Sequence, residues 1–203
     1  MTRGLRCLFT VLYAASCFAS YPAWSDVAVA TRCEGPPDRD GQTAYCGIPA
    51  PEDLVLFDGR FLISSSMAPG RHLYGLDTAS GEVRRLETGL DAVPAAENWG
   101  DAACAPPDLL ESHGLDLRRR ADGRWQLLVV NHARRESVEF FEVEAVAAGL
   151  PALRWRGCVP AAENAQFNDV AALPDGGFLA TDPITASWQL PRMLLGSLGM
   201  NTG

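Results

Sequence analysis

The 203-residue sequence lacks the motifs of several common enzyme and binding classes. It has no Gly-x-Ser-x-Gly segment, and this excludes the nucleophile elbow of α/β-hydrolases. It has no Cys-x-x-Cys pair and no cysteine and histidine spacing typical of zinc sites. It has no basic stripe and carries a formal net charge of −8, so we expect no nucleic-acid partner. No long helical period appears before residue 185, and this argues against a helical fold.

The N-terminus predicts export to the periplasm or the exterior. Arg3 and Arg6 precede a mostly apolar stretch, Cys7 to Ala19, which is too short to span a bilayer. Small residues follow it, and residues 1–25 are therefore predicted to be a cleaved signal peptide. Cys17 offers the alternative of a lipoprotein acylation site. We favour ordinary cleavage because Ala, rather than the usual Leu, lies three residues before this cysteine.

Four cysteines remain after the predicted cleavage, and an even number in an exported chain indicates two disulfides. Four cysteines allow three pairings. Cys33–Cys46 would close a short loop rich in Gly, Pro and Asp, and Cys104–Cys158 would join neighbouring repeats. We expect these two pairs.

The rest of the chain predicts an all-β fold. Residues 26–51 are rich in Pro, Gly and Asp and are predicted to be a loop segment. Short β runs separated by hairpin turns follow, at the spacing of β-propeller blades, so residues 52–203 are predicted to form a partial propeller of about three blades. Because propellers close with about four to eight blades, we expect the chain to be a fragment or a truncated product.

Residues 187–200 break the β pattern, because their apolar side chains recur on one face of a helix. This helix could simply pack on the end of the propeller. We favour a helix over the active-site face, with a membrane-surface helix as the alternative.

Polar clusters recur at similar intervals along the β region. They are Glu52-Asp53, His113 to Asp116, and Asn168-Asp169, and each leads into an apolar run and a glycine turn. A cluster that recurs at one place in a repeating β unit predicts a ring of oxygen ligands at one end of a propeller. Oxygen ligands suit calcium better than zinc.

Two histidines lie at opposite ends of one predicted hairpin, Leu115 to Val130. Because the ends of a hairpin are close in space, His113 and His132 are expected to meet. Two adjacent imidazoles can relay a proton taken from water, and this makes them the candidate catalytic residues.

Four motifs together resemble the paraoxonase/arylesterase family, within the calcium-dependent six-bladed propeller lactonases that include the SMP-30/gluconolactonase proteins. The motifs are Glu52-Asp53-Leu54, His113-Gly114-Leu115, Val130-Asn131-His132 with Val138-Glu139-Phe140, and Asn168-Asp169-Val170. The resemblance covers roughly residues 50–200, about the N-terminal half of a family member, and implies hydrolysis of small lactones or aryl esters.

The resemblance also implies residue roles. Glu52 and Asn168 are similar to ligands of a catalytic calcium ion, and Asp53, Asp169 and the carbonyl of Leu115 to ligands of a second, structural one. His113 corresponds to the histidine nearest the attacking water, with His132 as its partner. The remaining catalytic-calcium ligands of the family, an Asn and an Asp-Asn pair from later blades, have no counterpart here.

Two other interpretations stay open at this point. The chain could be a non-catalytic propeller module for binding or scaffolding that keeps calcium for stability, or a degraded product that does not fold alone. Glu52 and the histidine pair favour the hydrolase.

Overall fold

The computed structural model describes residues 43–147, 149–183, 191, 194–195 and 197–198. Within them the fold is all-β, as the sequence predicts, and the strands form three sheets, none of which closes on itself. The predicted signal peptide, residues 1–25, lies outside the described residues, and so does Cys33. No helix among the described residues is long and apolar enough to span a membrane.

The first sheet is an antiparallel meander whose strands are paired in chain order. It contains β1 (Pro51–Phe57), β2 (Phe61–Ser66), β3 (Tyr74–Asp77) and β4 (Val83–Arg85). Asp58 and Gly59 close the first hairpin with positive φ angles of 50° and 67°, which Asp and Gly tolerate better than most residues. The Asp77 carboxylate accepts hydrogen bonds from Arg60 Nε (2.7 Å) and Ser80 Oγ (2.9 Å), and these brace the β3–β4 turn.

The second sheet is a longer meander with one extra edge strand. It contains β5 (Thr88–Gly89), β6 (Ser112–Arg119), β7 (Trp125–Asn131), β8 (Ser137–Glu144) and β9 (Ala152–Pro160). Strands β6 to β9 are antiparallel in chain order, and β5 pairs parallel to β9. A 3-10 turn at Ala95–Glu97 lies between β5 and β6, and a separate hairpin follows, β10 (Val170–Ala172) and β11 (Phe178–Ala180).

The second sheet is buried on both faces. Leu127, Val129 and Phe141 pack into a core shared with the first sheet, whereas Leu128 and Val130 pack into a second core that includes residues of β10 and β11. Successive strand residues point to opposite faces, so a strand buried on both sides needs a continuous apolar run. This explains the apolar run Leu127 to Val130. At the edge of the same sheet, β6 contacts both β1 of the first sheet and β10.

One carboxylate lies fully inside this structure. Glu139 accepts hydrogen bonds from Ser137 Oγ (2.7 Å), Trp155 Nε1 (2.8 Å) and the Arg135 guanidinium (3.0 Å). A buried charge is tolerated when it is paired and hydrogen-bonded. The middle residue of the Val138-Glu139-Phe140 motif is therefore structural.

The predicted Cys104–Cys158 disulfide is confirmed, with the Cα atoms 5.7 Å apart. It ties the loop before β6 to β9 and encloses a long loop. The predicted Cys33–Cys46 pair stays a prediction, because Cys33 is outside the described residues.

We expect the double variant Cys104→Ala/Cys158→Ala to lose about 4 kcal/mol of unfolding free energy, because cross-linking a loop of this length restricts the unfolded chain. Urea unfolding followed by circular dichroism measures the change. A loss below about 1 kcal/mol would mean that the unfolded chain is already restricted there by other means.

The first strand begins at Pro51, the last residue of the predicted loop 26–51, so Glu52 and Asp53 lie on β1. Of the predicted helix over residues 187–200, only residues 191, 194, 195, 197 and 198 are described, and they do not establish a helix.

Candidate functional site

Two of the three polar clusters lie where strand pairing is irregular. The register of β1 against β2 shifts between Pro51 and Leu54, at Glu52-Asp53, and that of β6 against β7 shifts between Ser112 and Leu115, at His113-Gly114. Such irregularities re-aim side chains and are common beside active sites. The third cluster, Asn168-Asp169, directly precedes β10. Each cluster therefore lies at, or just before, the start of an edge strand: β1, β6 or β10.

Backbone and side-chain hydrogen bonds join the three clusters. Asp53 Oδ2 accepts the N–H of Leu115 at 2.7 Å, and the Gly114 N–H donates to the Asn168 carbonyl at 3.2 Å. Glu52 Oε1 lies 3.4 Å from His113 Nε2. The residues that the sequence grouped at one end of the sheets are thus brought together.

The aspartates of these clusters share a hydrogen-bonding pattern. One oxygen of Asp53, Asp116 and Asp169 accepts the N–H of the following residue, at 2.7, 2.8 and 2.7 Å. The other oxygen of Asp53 and of Asp116 accepts an N–H from the next sheet, from Leu115 and Ala172. These carboxylates clamp neighbouring sheets to one another. Each oxygen has a further acceptor site, so the clamp is compatible with an ion ligand.

The two predicted catalytic histidines are in contact, as the hairpin argument predicts. His113 Nδ1 lies 2.7 Å from His132 Nε2, and His132 Nδ1 lies 2.9 Å from Glu136 Oε2. Because an ionised carboxylate only accepts hydrogen bonds, Glu136 assigns the proton of His132 to Nδ1. His132 Nε2 then accepts from His113 Nδ1–H. This leaves His113 Nε2 without a proton, 3.4 Å from Glu52 Oε1.

The surroundings of His113 favour its neutral form. Burial lowers the pKa of His113, and the neighbouring His132 and Arg71 lower it further. Burial also raises the pKa of Glu52, and the charge of Asp53 adds to this rise. A neutral His113 can accept a proton, as a general base must.

His113 and His132 line a cavity of about 310 Å³. Its lining residues are Met67, Arg71, Glu111, His113, His132, Gln166, Phe167, Asn168 and Pro183. This volume lies at the small end of the range for ligand sites, and six of the nine lining residues are polar or charged, a larger share than in most ligand pockets.

The donor atoms of the clusters suit a calcium ion. Glu52, Asp53 and Asp169 form no ion pair with Arg among the described residues, and the pKa of Glu52 is raised by its burial first and then by the charges of Asp53 and Asp169. Carboxylates with a nearby amide oxygen are the donors that calcium prefers. In the described part of the chain, however, no three His, Cys, Asp or Glu side chains are already arranged to hold a metal ion.

Sequence reasoning missed two residues of this site. Glu136 lies in the β7–β8 turn and was not considered, although an acid four residues after His132 is close enough to orient it. Its second oxygen accepts the N–H of Phe167 at 2.6 Å, so it also fixes the segment before Asn168. Arg71, which lines the cavity, lies far from His113 in sequence and had no sequence pattern of its own.

No protein-family model matches this chain, and a search of curated proteins finds no match.

Proposed function

We propose that this protein is a calcium-dependent hydrolase of lactones or aryl esters. The observation that carries the proposal is the hydrogen-bonded series Glu136, His132 and His113, which ends in a cavity beside the carboxylate of Glu52. A base oriented by a second group, and that group by a third, is the arrangement that activates nucleophiles in many hydrolases. Here the nucleophile would be water.

The same proposal includes a β-propeller architecture. Strands β1–β4 and β6–β9 are four-stranded antiparallel meanders, and β10–β11 would begin a third. Blades of a propeller have this form, and their first strands line a central channel. Polar clusters at the starts of β1, β6 and β10 would then face one end of that channel.

In the proposed reaction His113 Nε2 takes a proton from water as the oxygen attacks the carbonyl carbon. His132 accepts the hydrogen bond of His113 Nδ1 and stabilises the imidazolium that forms, and Glu136 holds His132 in the required tautomer. The new carbon–oxygen bond replaces the ester bond, and the proton passes to the departing oxygen, an alkoxide from a lactone or a phenoxide from an aryl ester.

Glu52 and Asn168 would hold the catalytic calcium ion, and Asp53, Asp169 and the Leu115 carbonyl a second one. A bound calcium ion would polarise the substrate carbonyl and stabilise the negative charge on its oxygen. The closeness of Glu52, Asp53 and Asp169, none of which forms an ion pair with Arg among the described residues, supports a cation here.

We expect isothermal titration to show calcium binding that weakens at least about tenfold in Asp169→Ala, because calcium affinity rises with the number of charged ligands. Asp91→Ala, which removes an exposed carboxylate elsewhere, is the control. Removing calcium with EDTA should lower both the melting temperature and the hydrolysis of phenyl acetate or a γ-lactone. If EDTA changes neither, the calcium proposal is wrong.

A non-catalytic, calcium-stabilised binding module is the second candidate. The clamping of sheets by Asp53 and Asp116 supports it, because these carboxylates have a structural role without chemistry. Calcium binding without ester or lactone hydrolysis above the uncatalysed rate would favour this candidate.

A further inference from the structure

We propose that the cavity beside the histidine pair selects substrates that carry a separate anionic group, and that Arg71 binds this group. The inference rests on the proposed hydrolysis for its kinetic test. It adds a substrate class, namely an aryl ester or lactone with a carboxylate remote from the reacting carbonyl.

Arg71 is fixed directly beside the strand that carries His113. Its carbonyl accepts two hydrogen bonds from Ser112, from the backbone N–H at 2.8 Å and from Oγ at 2.7 Å. Its own N–H donates to the Ala68 carbonyl at 2.8 Å. The Arg71 side chain therefore extends from an anchored backbone, and it lines the same cavity as His113.

Arg71 has no acidic partner among the described residues. Other arginines form ion pairs, such as Arg60 with Asp77 and Arg156 with Glu142, but Arg71 forms none with any described residue. Its charge nevertheless reaches the site, because it contributes to the lowered pKa of His113. A partly buried guanidinium without an acid partner offers planar donors that match a carboxylate.

Two other polar residues of the cavity restrict which ligands could bind there. Gln166 has a buried Oε1 with no hydrogen-bond partner among the described residues, and a hydroxyl or N–H of a substrate would satisfy it. Glu111 also lines the cavity and forms no described ion pair, and its charge would repel an anion placed at its side. A single anionic group would therefore bind at the Arg71 side. Because the cavity is small, the anionic group and the reacting carbonyl must lie close together in one short substrate molecule.

The test compares two esters that differ in one charge, 4-acetoxybenzoate and its neutral analogue 4-acetoxybenzamide. The ratio of their kcat/KM values should fall roughly 10- to 100-fold in Arg71→Met, mainly through a higher KM for the anion, because a charged hydrogen bond of this kind is lost. Arg71→Lys should keep part of the preference. Intrinsic differences in reactivity between the esters cancel when variants are compared.

Glu111→Gln is the matched control, because it removes a charge from the same cavity wall and should keep or increase the preference for the anion. Thermal unfolding of each variant shows that the fold is intact. An unchanged ratio in a folded Arg71→Met protein would overturn the inference.

A binding measurement separates this inference from the hydrolysis proposal. If neither ester is hydrolysed above the uncatalysed rate, the proposed function fails, and titration with 4-hydroxybenzoate and 4-hydroxybenzamide then decides the role of Arg71. Preferential binding of the benzoate that Arg71→Met abolishes would support the anion site. Equal binding of the two compounds by the unsubstituted protein would refute it.

Discussion

Replacing His113 by Gln is expected to lower the turnover of phenyl acetate or a γ-lactone by about 10²- to 10⁴-fold, which is the usual cost of losing a general base. The hydrogen bonds to His132 and Glu136 leave His113 Nε2 without a proton, and His113 lines the cavity. Glutamine keeps a polar side chain of similar size but cannot accept a proton near neutral pH. The loss should therefore appear in kcat and kcat/KM alike.

The other histidines provide the comparison. His132→Gln should lower turnover less than His113→Gln, since His132 acts through His113, and His72→Gln should leave it nearly unchanged, because His72 does not line the cavity. Calcium affinity measured by isothermal titration should stay close to that of the unsubstituted protein in all three variants. Equal turnover in His113→Gln and the unsubstituted protein would assign the proton transfer to another group.

The contact between His113 and His132 could be predicted because it depends on the sequence pattern of a single hairpin. The alternation and turn signals between Leu115 and Val130 indicate a hairpin, and a hairpin brings its two ends together whatever its surroundings. The Ser112–Asn131 pairing in the structure places the histidines at this open end. The three polar clusters could be found for a similar reason, since each recurs at the start of a similar β unit.

The orientation of these groups could not be predicted from the same pattern. The irregular pairing at Glu52-Asp53 and at His113-Gly114 depends on cross-strand neighbours, and the sequence does not mark the register at which it occurs. Arg71 reaches the site only because its carbonyl is bound by Ser112, a contact between residues far apart in the chain. Such tertiary contacts leave no periodicity in the sequence.

Glycine at position 114 shows how closely the clusters approach one another. A Cβ atom built on Gly114 would lie 2.5 Å from Asp169 Cα and 2.6 Å from the Asn168 carbonyl oxygen. Both neighbours are backbone atoms, so no side-chain rotation can relieve the overlap. Gly114 also donates its N–H to Asn168. The middle residue of His113-Gly114-Leu115 is thus a requirement for bringing β6 against the segment before β10.

We expect Gly114→Ala to lower turnover by about 10²-fold, because displacement of catalytic groups by about 1 Å has effects of this size. The added methyl group must separate β6 from residues 168 and 169, which moves His113 away from Asn168 and weakens calcium binding. Overpacking of this kind should also cost about 1–3 kcal/mol of unfolding free energy. Turnover, calcium titration and urea unfolding measure the three effects.

Gly89→Ala serves as the control for a glycine replaced on a strand, because the nearest atom to its added Cβ would be the Leu153 carbonyl oxygen at 3.4 Å, an ordinary contact. This variant should keep both activity and calcium binding. If Gly114→Ala also keeps both, then moving β6 away from the Asn168-Asp169 segment affects neither turnover nor calcium binding. The histidines on and after β6 and the proposed calcium ligands Asn168 and Asp169 would then not belong to one site.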